Sequence, residues 1–168
     1  MDQDMLTLGI AIVALLISLL TFYLYNMQRK KPAEESSSYN VRPLQLQAYE
    51  RLVLLTERIS LPNLVSRVNQ TGGSAKEMQL LLLESIKQEF DYNATQQIYV
   101  SPVAWEAVRN LKDQNMLIVN QVASTLPAGA TGLDLNKRLM EYVMTQKKGA
   151  LHTIVLEALN YEAKKMMK

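Results

Sequence analysis

The sequence predicts an all-α protein in which an N-terminal transmembrane helix and a flexible linker precede a compact bundle of about five helices, with one short irregular or extended connection. Three observations lead to this prediction. They are a long apolar stretch near the N-terminus, a polar Ser-rich segment after it, and apolar residues that recur at helical spacing through the rest of the chain. The predicted boundaries are 1–28 for the anchor, 29–43 for the basic, then Ser-rich linker and 44–168 for the helical domain.

The apolar stretch extends from Met5 to Tyr25 and contains no charged residue. At about 1.5 Å per residue, a helix of this length spans about 31 Å, which matches the hydrocarbon core of a bilayer. The acidic start and the lack of a small-residue cleavage site distinguish it from a signal peptide. A buried core helix is the alternative, but the run is apolar on every face. Because Arg29, Lys30 and Lys31 follow, we expect a single-pass protein of the inner (cytoplasmic) membrane, with its N-terminus outside and its C-terminal domain in the cytoplasm.

One face of the predicted anchor carries small side chains at steps of four and three residues. Small residues let two membrane helices approach closely, and Ser or Thr can hydrogen-bond across the contact. The pattern indicates a packing face for self-association or for a membrane partner, although small residues are common in such helices and a chance arrangement is the alternative. The stripe consists of Thr7, Ala11, Ala14, Ser18 and Thr21.

Charge and composition exclude several classes of function. The 18 Lys and Arg nearly balance the 16 Asp and Glu, so the chain lacks the positive surface of a nucleic-acid-binding protein. The absence of cysteine excludes disulfides and thiolate chemistry. His152 is the single histidine, so the usual metal sites and nucleophile–base pairs have too few members. We therefore expect no catalytic residue, no metal and no cofactor, and we interpret His152 as a surface or packing residue.

The helical domain begins after the linker with two helices. Pro43 ends the linker and suits the first turn of a helix over about Leu44–Ser60, whose apolar residues share one face. Pro62 opens a second, short helix that extends to about Val68.

The third helix has a strong start signal. Ser74 and Glu77 have the spacing of a capping box, in which each side chain hydrogen-bonds to the backbone of the other residue. This helix extends to about Phe90. The segment Asp91–Val100 then breaks the helical pattern and is rich in β-formers at its end, so we predict an ordered connection with an extended Gln97–Val100 as one alternative.

Three helices follow. Ser101 and Pro102 are an N-cap and a first-turn proline for a helix that extends to about Thr125. Thr131–Asp134 resembles another cap and precedes a further helix. The last helix spans about Ala150–Met166, with lysines at its C-terminal end.

Three aromatic residues near the irregular connection are candidates for contact with a protein partner. Tyr92, Tyr99 and Trp105 stand among amide side chains, and aromatic residues of this kind anchor many interfaces. In the alternative interpretation, Tyr99 and Trp105 close the core where two helices meet.

The same region resembles a family of uncharacterised, N-terminally anchored bacterial proteins. The resemblance rests on QEFDYNATQQIYVS at Gln88–Ser101, followed by Trp105-Glu106. The segment Leu44–Val68 and the apolar N-terminus are also similar. This resemblance implies a bacterial inner-membrane protein of unknown function, and it implies no site residues.

The sequence thus predicts a membrane-tethered helical domain that binds another protein or itself, without catalytic activity. Its expected partners are the membrane and a protein, and nucleic acid is not among them. One alternative is an accessory subunit that its transmembrane helix holds in a larger membrane complex. Another is an enzyme or a ligand-binding domain whose site has an unfamiliar pattern.

Overall fold

The computed structural model describes residues 14–26, 41–68, 72–145 and 151–167. Contacts divide the chain into two units, Met1–Asn40 and Val41–Lys168. In the first unit, residues 14–26 form a helix, α1.

The described part of the second unit is helical, as the sequence predicts, with six α-helices where about five were expected. Its elements are α2 Arg42–Ile59, α3 Leu61–Val68, α4 Ala75–Tyr92, the 3₁₀ helix Ala94–Ile98, α5 Pro102–Ser124, α6 Gly132–Thr145 and α7 Leu151–Met167.

Residues 14–26 are the described part of helix α1. In the described ranges, no helix combines the length and the apolar character that crossing a bilayer requires. This finding overturns the predicted transmembrane helix Met5–Tyr25, and with it the single-pass inner-membrane location and the membrane-tethered function. Residues 1–13, 27 and 28 of the predicted anchor and residues 29–40 of the predicted linker lie outside the described residues.

Helix α2 ends at Ser60, where the backbone turns to an extended conformation (φ −58°, ψ 135°) and α3 begins directly afterwards. The Ser60 hydroxyl donates to the carbonyl oxygen of Glu57 over 2.8 Å. It thus supplies a hydrogen bond to one of the carbonyls that the end of a helix leaves without a helical partner. The carbonyl of Ser60 in turn accepts from the N–H of Leu64 in α3. A single residue therefore joins α2 and α3.

The connection between α4 and α5 is a 3₁₀ helix and not the extended segment that was one of the alternatives. Asn93 ends α4 because its side-chain amide donates to the Glu89 carbonyl over 2.8 Å. Bonds from Gln96 N to Asn93 O and from Tyr99 N to Gln96 O, both 3.0 Å, then continue the tighter helix. An extended segment would need a neighbouring strand to satisfy its backbone, and the described residues contain none.

Helices α2 and α7 pack side by side and antiparallel. In the middle of α2, the Tyr49 hydroxyl donates to the carboxylate of Glu162, in the second half of α7, and it accepts from the N–H of Ser101 over 3.1 Å. Near the end of α2, Glu57 faces His152 of α7. Burial raises the pKa of Tyr49, and its bond to Glu162 adds to this effect because the carboxylate accepts the phenolic proton.

A single apolar core fills the second unit. Its side chains come from α2 to α7, and most of them have the helical spacing that the sequence shows. The largest fully buried side chains are Leu52, Leu55, Ile59, Leu64, Met78, Leu82, Ile86, Val108, Leu111, Leu135, Leu139 and Leu159.

The loops before α4 and α6 meet through an isolated antiparallel bridge between Ser74 and Thr131. Two backbone bonds hold it, from Ala75 N to Ala130 O (2.9 Å) and from Gly132 N to Gly73 O (2.8 Å). The structure confirms the capping box at Ser74 and the cap that the sequence suggests at Thr131. The N-termini of α4 and α6 are therefore fixed against each other.

Candidate functional site

A cleft of about 500 Å³ lies at the junction of five helices in the second unit; we call it the His152 cleft. Helices α2 and α3 form one side, and α5, α6 and α7 form the others. The lining residues are Glu57, Ser60, Leu61, Pro62, Asn63, Leu111, Gln114, Asn115, Ile118, Tyr142, Val143, Leu151 and His152. Ligand pockets typically measure about 300–1,000 Å³, so this cleft has the size for a small organic molecule.

The deep wall of the His152 cleft is apolar and fixed. Leu61, Leu111 and Ile118 are buried core residues that also line it. Beside them, the buried Asn115 of α5 donates its side-chain amide to the Ile59 carbonyl over 2.8 Å. This bond satisfies a carbonyl at the end of α2 and ties α5 to it, so the wall is rigid where the helices join.

The junction of α2 and α3 supplies the acidic side of the cleft. Asn63 donates its side-chain amide to the Glu57 carbonyl (3.0 Å) and to Glu57 Oε2 (3.2 Å). The carboxylate is therefore held in place by a residue six positions later in the chain. This arrangement depends on the sharp turn at Ser60, which returns the chain toward the last turn of α2.

His152, in the first turn of α7, faces this carboxylate. Its Nε2 atom lies 3.4 Å from Glu57 Oε2, but the two atoms lack the alignment of a hydrogen bond. Nε2 is buried and has no hydrogen-bond partner among the described residues. The ring as a whole is 27% exposed and the Glu57 side chain 45% exposed, so both lie toward the mouth of the cleft. Because Nε2 is buried, a molecule in the cleft does not reach it, whereas the Glu57 side chain is open to such a molecule.

The arrangement has the composition of a binding pocket. The Ser60 hydroxyl, a nearby candidate nucleophile, is engaged with a backbone carbonyl instead of with His152. In the described part of the chain, no group of three His, Cys, Asp or Glu side chains could hold a metal ion. What remains is an apolar wall with a few polar groups at its mouth, which is the usual composition of a ligand pocket.

The structure does not bring the three predicted aromatic residues into this cleft. The ring of Trp105 packs against Phe90 with centroids 5.0 Å apart, and it borders the core, as the alternative interpretation has it. Tyr99 is half-buried. Tyr92 is 73% exposed, and the Arg51 guanidinium lies over its ring at 5.7 Å. The contact of these residues with a partner stays a prediction.

The small-residue stripe falls partly outside the described residues, because Thr7 and Ala11 precede residue 14. Ala14, Ser18 and Thr21 are exposed on α1. The Thr21 hydroxyl donates within its own helix, to the carbonyls of Ile17 and Ser18, both at 2.9 Å. Whether this stripe packs against a second helix stays a prediction.

The sequence-based reasoning missed the residues of the His152 cleft. It assigned His152 to the surface or to packing, and it gave no role to Glu57, Asn63 or Asn115. One signal was available, because Asn115 stands at a helical core position of α5 between apolar neighbours one turn away on either side. A polar residue at such a position indicates a buried hydrogen bond, but not which partner it has.

The fold and the cleft define a small all-α domain that carries a ligand-sized cleft. The chain belongs to a family of unknown function, DUF7935, whose model matches residues 3–166. This agrees with the resemblance to an uncharacterised family. A comparison with curated proteins gives no significant match, and neither does a comparison with solved structures.

Proposed function

We propose that this domain is a non-catalytic binding domain that takes a small, largely apolar organic molecule into the His152 cleft. The observation that carries the proposal is a cleft of about 500 Å³ with a deep wall of buried apolar side chains and a few polar groups at its mouth. This is the usual composition of a pocket that binds a small organic molecule. The absence of enzymatic activity and of a cofactor belongs to this proposal.

The rigidity of the surroundings supports binding without a large rearrangement. The Asn115–Ile59 bond fixes α5 to the end of α2, and the bonds of Tyr49 fix α7 and the start of α5 to α2. A site whose walls are already held in place loses little conformational entropy when the ligand enters. The cleft therefore has the preorganisation of a binding site.

A filling variant tests the proposal. Val143 is half-buried and lines the cleft, whereas its neighbour Met144 is 83% exposed and does not line it. Val143→Trp should occupy the cleft and weaken the binding of 1-octanol, a neutral apolar probe, by about tenfold, equivalent to about 1.4 kcal/mol. Met144→Trp adds the same side chain one position away and should leave binding unchanged. Chemical-shift titrations of the full 168-residue chain measure both affinities.

Two results would contradict the proposal. One is the absence of saturable shifts at the lining residues when 1-octanol is added to the unsubstituted chain. The other is equal binding by Val143→Trp and Met144→Trp, since the probe would then bind elsewhere.

Two further expectations remain open. A protein partner or self-association stays a prediction, with Tyr92 as its most exposed candidate residue at 73%. A bacterial source, which the resemblance implies, also stays a prediction.

A further inference from the structure

Resting on the proposed function, we infer that the His152 cleft selects an organic cation, an apolar chain that ends in a primary ammonium group, with the ammonium held by Glu57. Three features of the cleft lead to this ligand class. They are the sign of its charge, the carboxylate at its mouth and the position of its apolar wall.

The charge of the described lining residues disfavours anions. Glu57 is the one carboxylate among the described lining residues, and no Lys or Arg is among them. Phosphates and carboxylates are normally bound by Arg, Lys or clustered backbone N–H groups. The negative charge of Glu57 at the mouth of the cleft would repel an anionic ligand and attract a cationic one.

The exposed carboxylate favours a ligand that donates hydrogen bonds. The Glu57 side chain is 45% exposed, and a carboxylate only accepts. A primary ammonium has three N–H groups and can donate to this carboxylate over about 2.9 Å. The bond from Asn63 keeps the carboxylate in the required orientation.

The apolar wall continues inward from this carboxylate. Leu111 and Ile118 are buried and line the deep side, and Tyr142 adds an aromatic ring to the lining. A chain that enters tail first buries its methylene groups there and leaves the ammonium near water, where desolvation of the charge costs least. An amphipathic amine fits both parts of the cleft at once.

Three probes of equal chain length test the ligand class: octylammonium, 1-octanol and octanoate, each titrated at neutral pH into the full-length chain. Octylammonium should bind about tenfold more tightly than 1-octanol, as expected for a hydrogen bond to a charged group, and octanoate should bind most weakly. Glu57→Gln keeps the size of the side chain and removes its charge. It should abolish the preference for octylammonium over 1-octanol.

Glu106→Gln is the matched control, because the Glu106 side chain is 46% exposed against 45% for Glu57 and does not line the cleft. It should keep the preference. Equal binding of all three probes, or tighter binding of octanoate, would overturn the ligand class and leave the binding function standing. If none of the three probes binds saturably, the proposed function itself fails. Retention of the preference in Glu57→Gln would overturn the role given to Glu57.

Discussion

The loops before α4 and α6 end in the same hydrogen-bonded cap, although they belong to different parts of the chain. Each loop has a glycine with positive φ, Gly72 at 100° and Gly129 at 90°, and a hydroxyl residue two positions later. Nothing lies within 4 Å of a Cβ added at either glycine. The positive φ, and not crowding, therefore explains why both positions are glycine.

The two caps have the same hydrogen-bond distances, although their acidic side chains, Glu77 and Asp134, differ in length. Ser74 N donates to Glu77 Oε2 over 2.8 Å, and Glu77 N donates to Ser74 Oγ over 3.2 Å. At the other loop, Thr131 N donates to Asp134 Oδ2 and Asp134 N to Thr131 Oγ1, over the same two distances. The local hydrogen bonds alone determine how each helix begins.

The two loops differ in the residue after the cap. Position 75 is an alanine, whereas its counterpart is Gly132. A Cβ on Gly132 would lie 3.2 Å from both Cβ and Cε of Met78 and 3.4 Å from the Gly73 carbonyl oxygen. Tertiary packing between α6 and α4 thus distinguishes two sites that local hydrogen bonding makes equivalent.

The largest effect is expected when that packing is disturbed. Gly132→Ala should lower the free energy of unfolding by about 1–3 kcal/mol, because the added methyl group displaces the buried Met78 or lengthens the bond to Gly73. Ala75→Gly, the reciprocal change, should cost only about 0.5–1 kcal/mol. Urea unfolding curves measure both, and equal losses would show that packing does not distinguish the loops.

The caps themselves should have smaller and equal effects. Ser74→Ala and Thr131→Ala each remove the acceptor for one helix N–H and should each cost about 1 kcal/mol. The same urea unfolding curves compare them. A cost at one cap that is several times the other would contradict the equivalence of the local bonds. Ser66→Ala is a suitable control, because the Ser66 hydroxyl donates to a carbonyl within α3 and caps nothing.

The smallest change in stability is expected when the pH is lowered. The Ser74 N–H and hydroxyl lower the pKa of Glu77, and the Thr131 hydroxyl and N–H, helped by the charge of Lys137, lower the pKa of Asp134. A carboxylate with a lowered pKa stabilises the fold fully above its unfolded value, about 4, and this contribution is lost as the pH falls through the lower folded value. Both groups are exposed, so water weakens the effect.

Unfolding midpoints measured through this acidic range check the prediction. Stability should fall less steeply with acid in Glu77→Gln and in Asp134→Asn than in the unsubstituted chain, since neither replacement titrates. If stability depended on pH as steeply in both variants as in the unsubstituted chain, the caps would not contribute to the loss of stability in acid.

Elements that depend on neighbours in sequence could be predicted. The Ser74–Glu77 box and the N-cap at Ser101 followed by Pro102 were assigned from spacing alone, and the structure confirms them. Their atoms are within four residues of each other, so their geometry follows from one turn of helix. The 3₁₀ helix after α4 was not predicted, since its bonds follow from the way the Asn93 side chain ends α4.

The His152 cleft could not be predicted, because its residues come from helices far apart in the chain. Asn115 reaches a carbonyl 56 positions earlier, at Ile59. His152 faces Glu57 only because α7 packs antiparallel to α2. No spacing pattern records which of several amphipathic helices become neighbours.

The sequence by itself determined that the chain is helical, where its caps and prolines start the helices, and which faces are apolar. Those properties follow from backbone hydrogen bonding and hydrophobic periodicity, which act over one or two turns. Tertiary structure alone decided that Glu57, Asn63 and His152 share one cleft and that a side chain at Gly132 would crowd Met78. Both depend on how the apolar faces of distant helices pack, and that is a property of the assembled core.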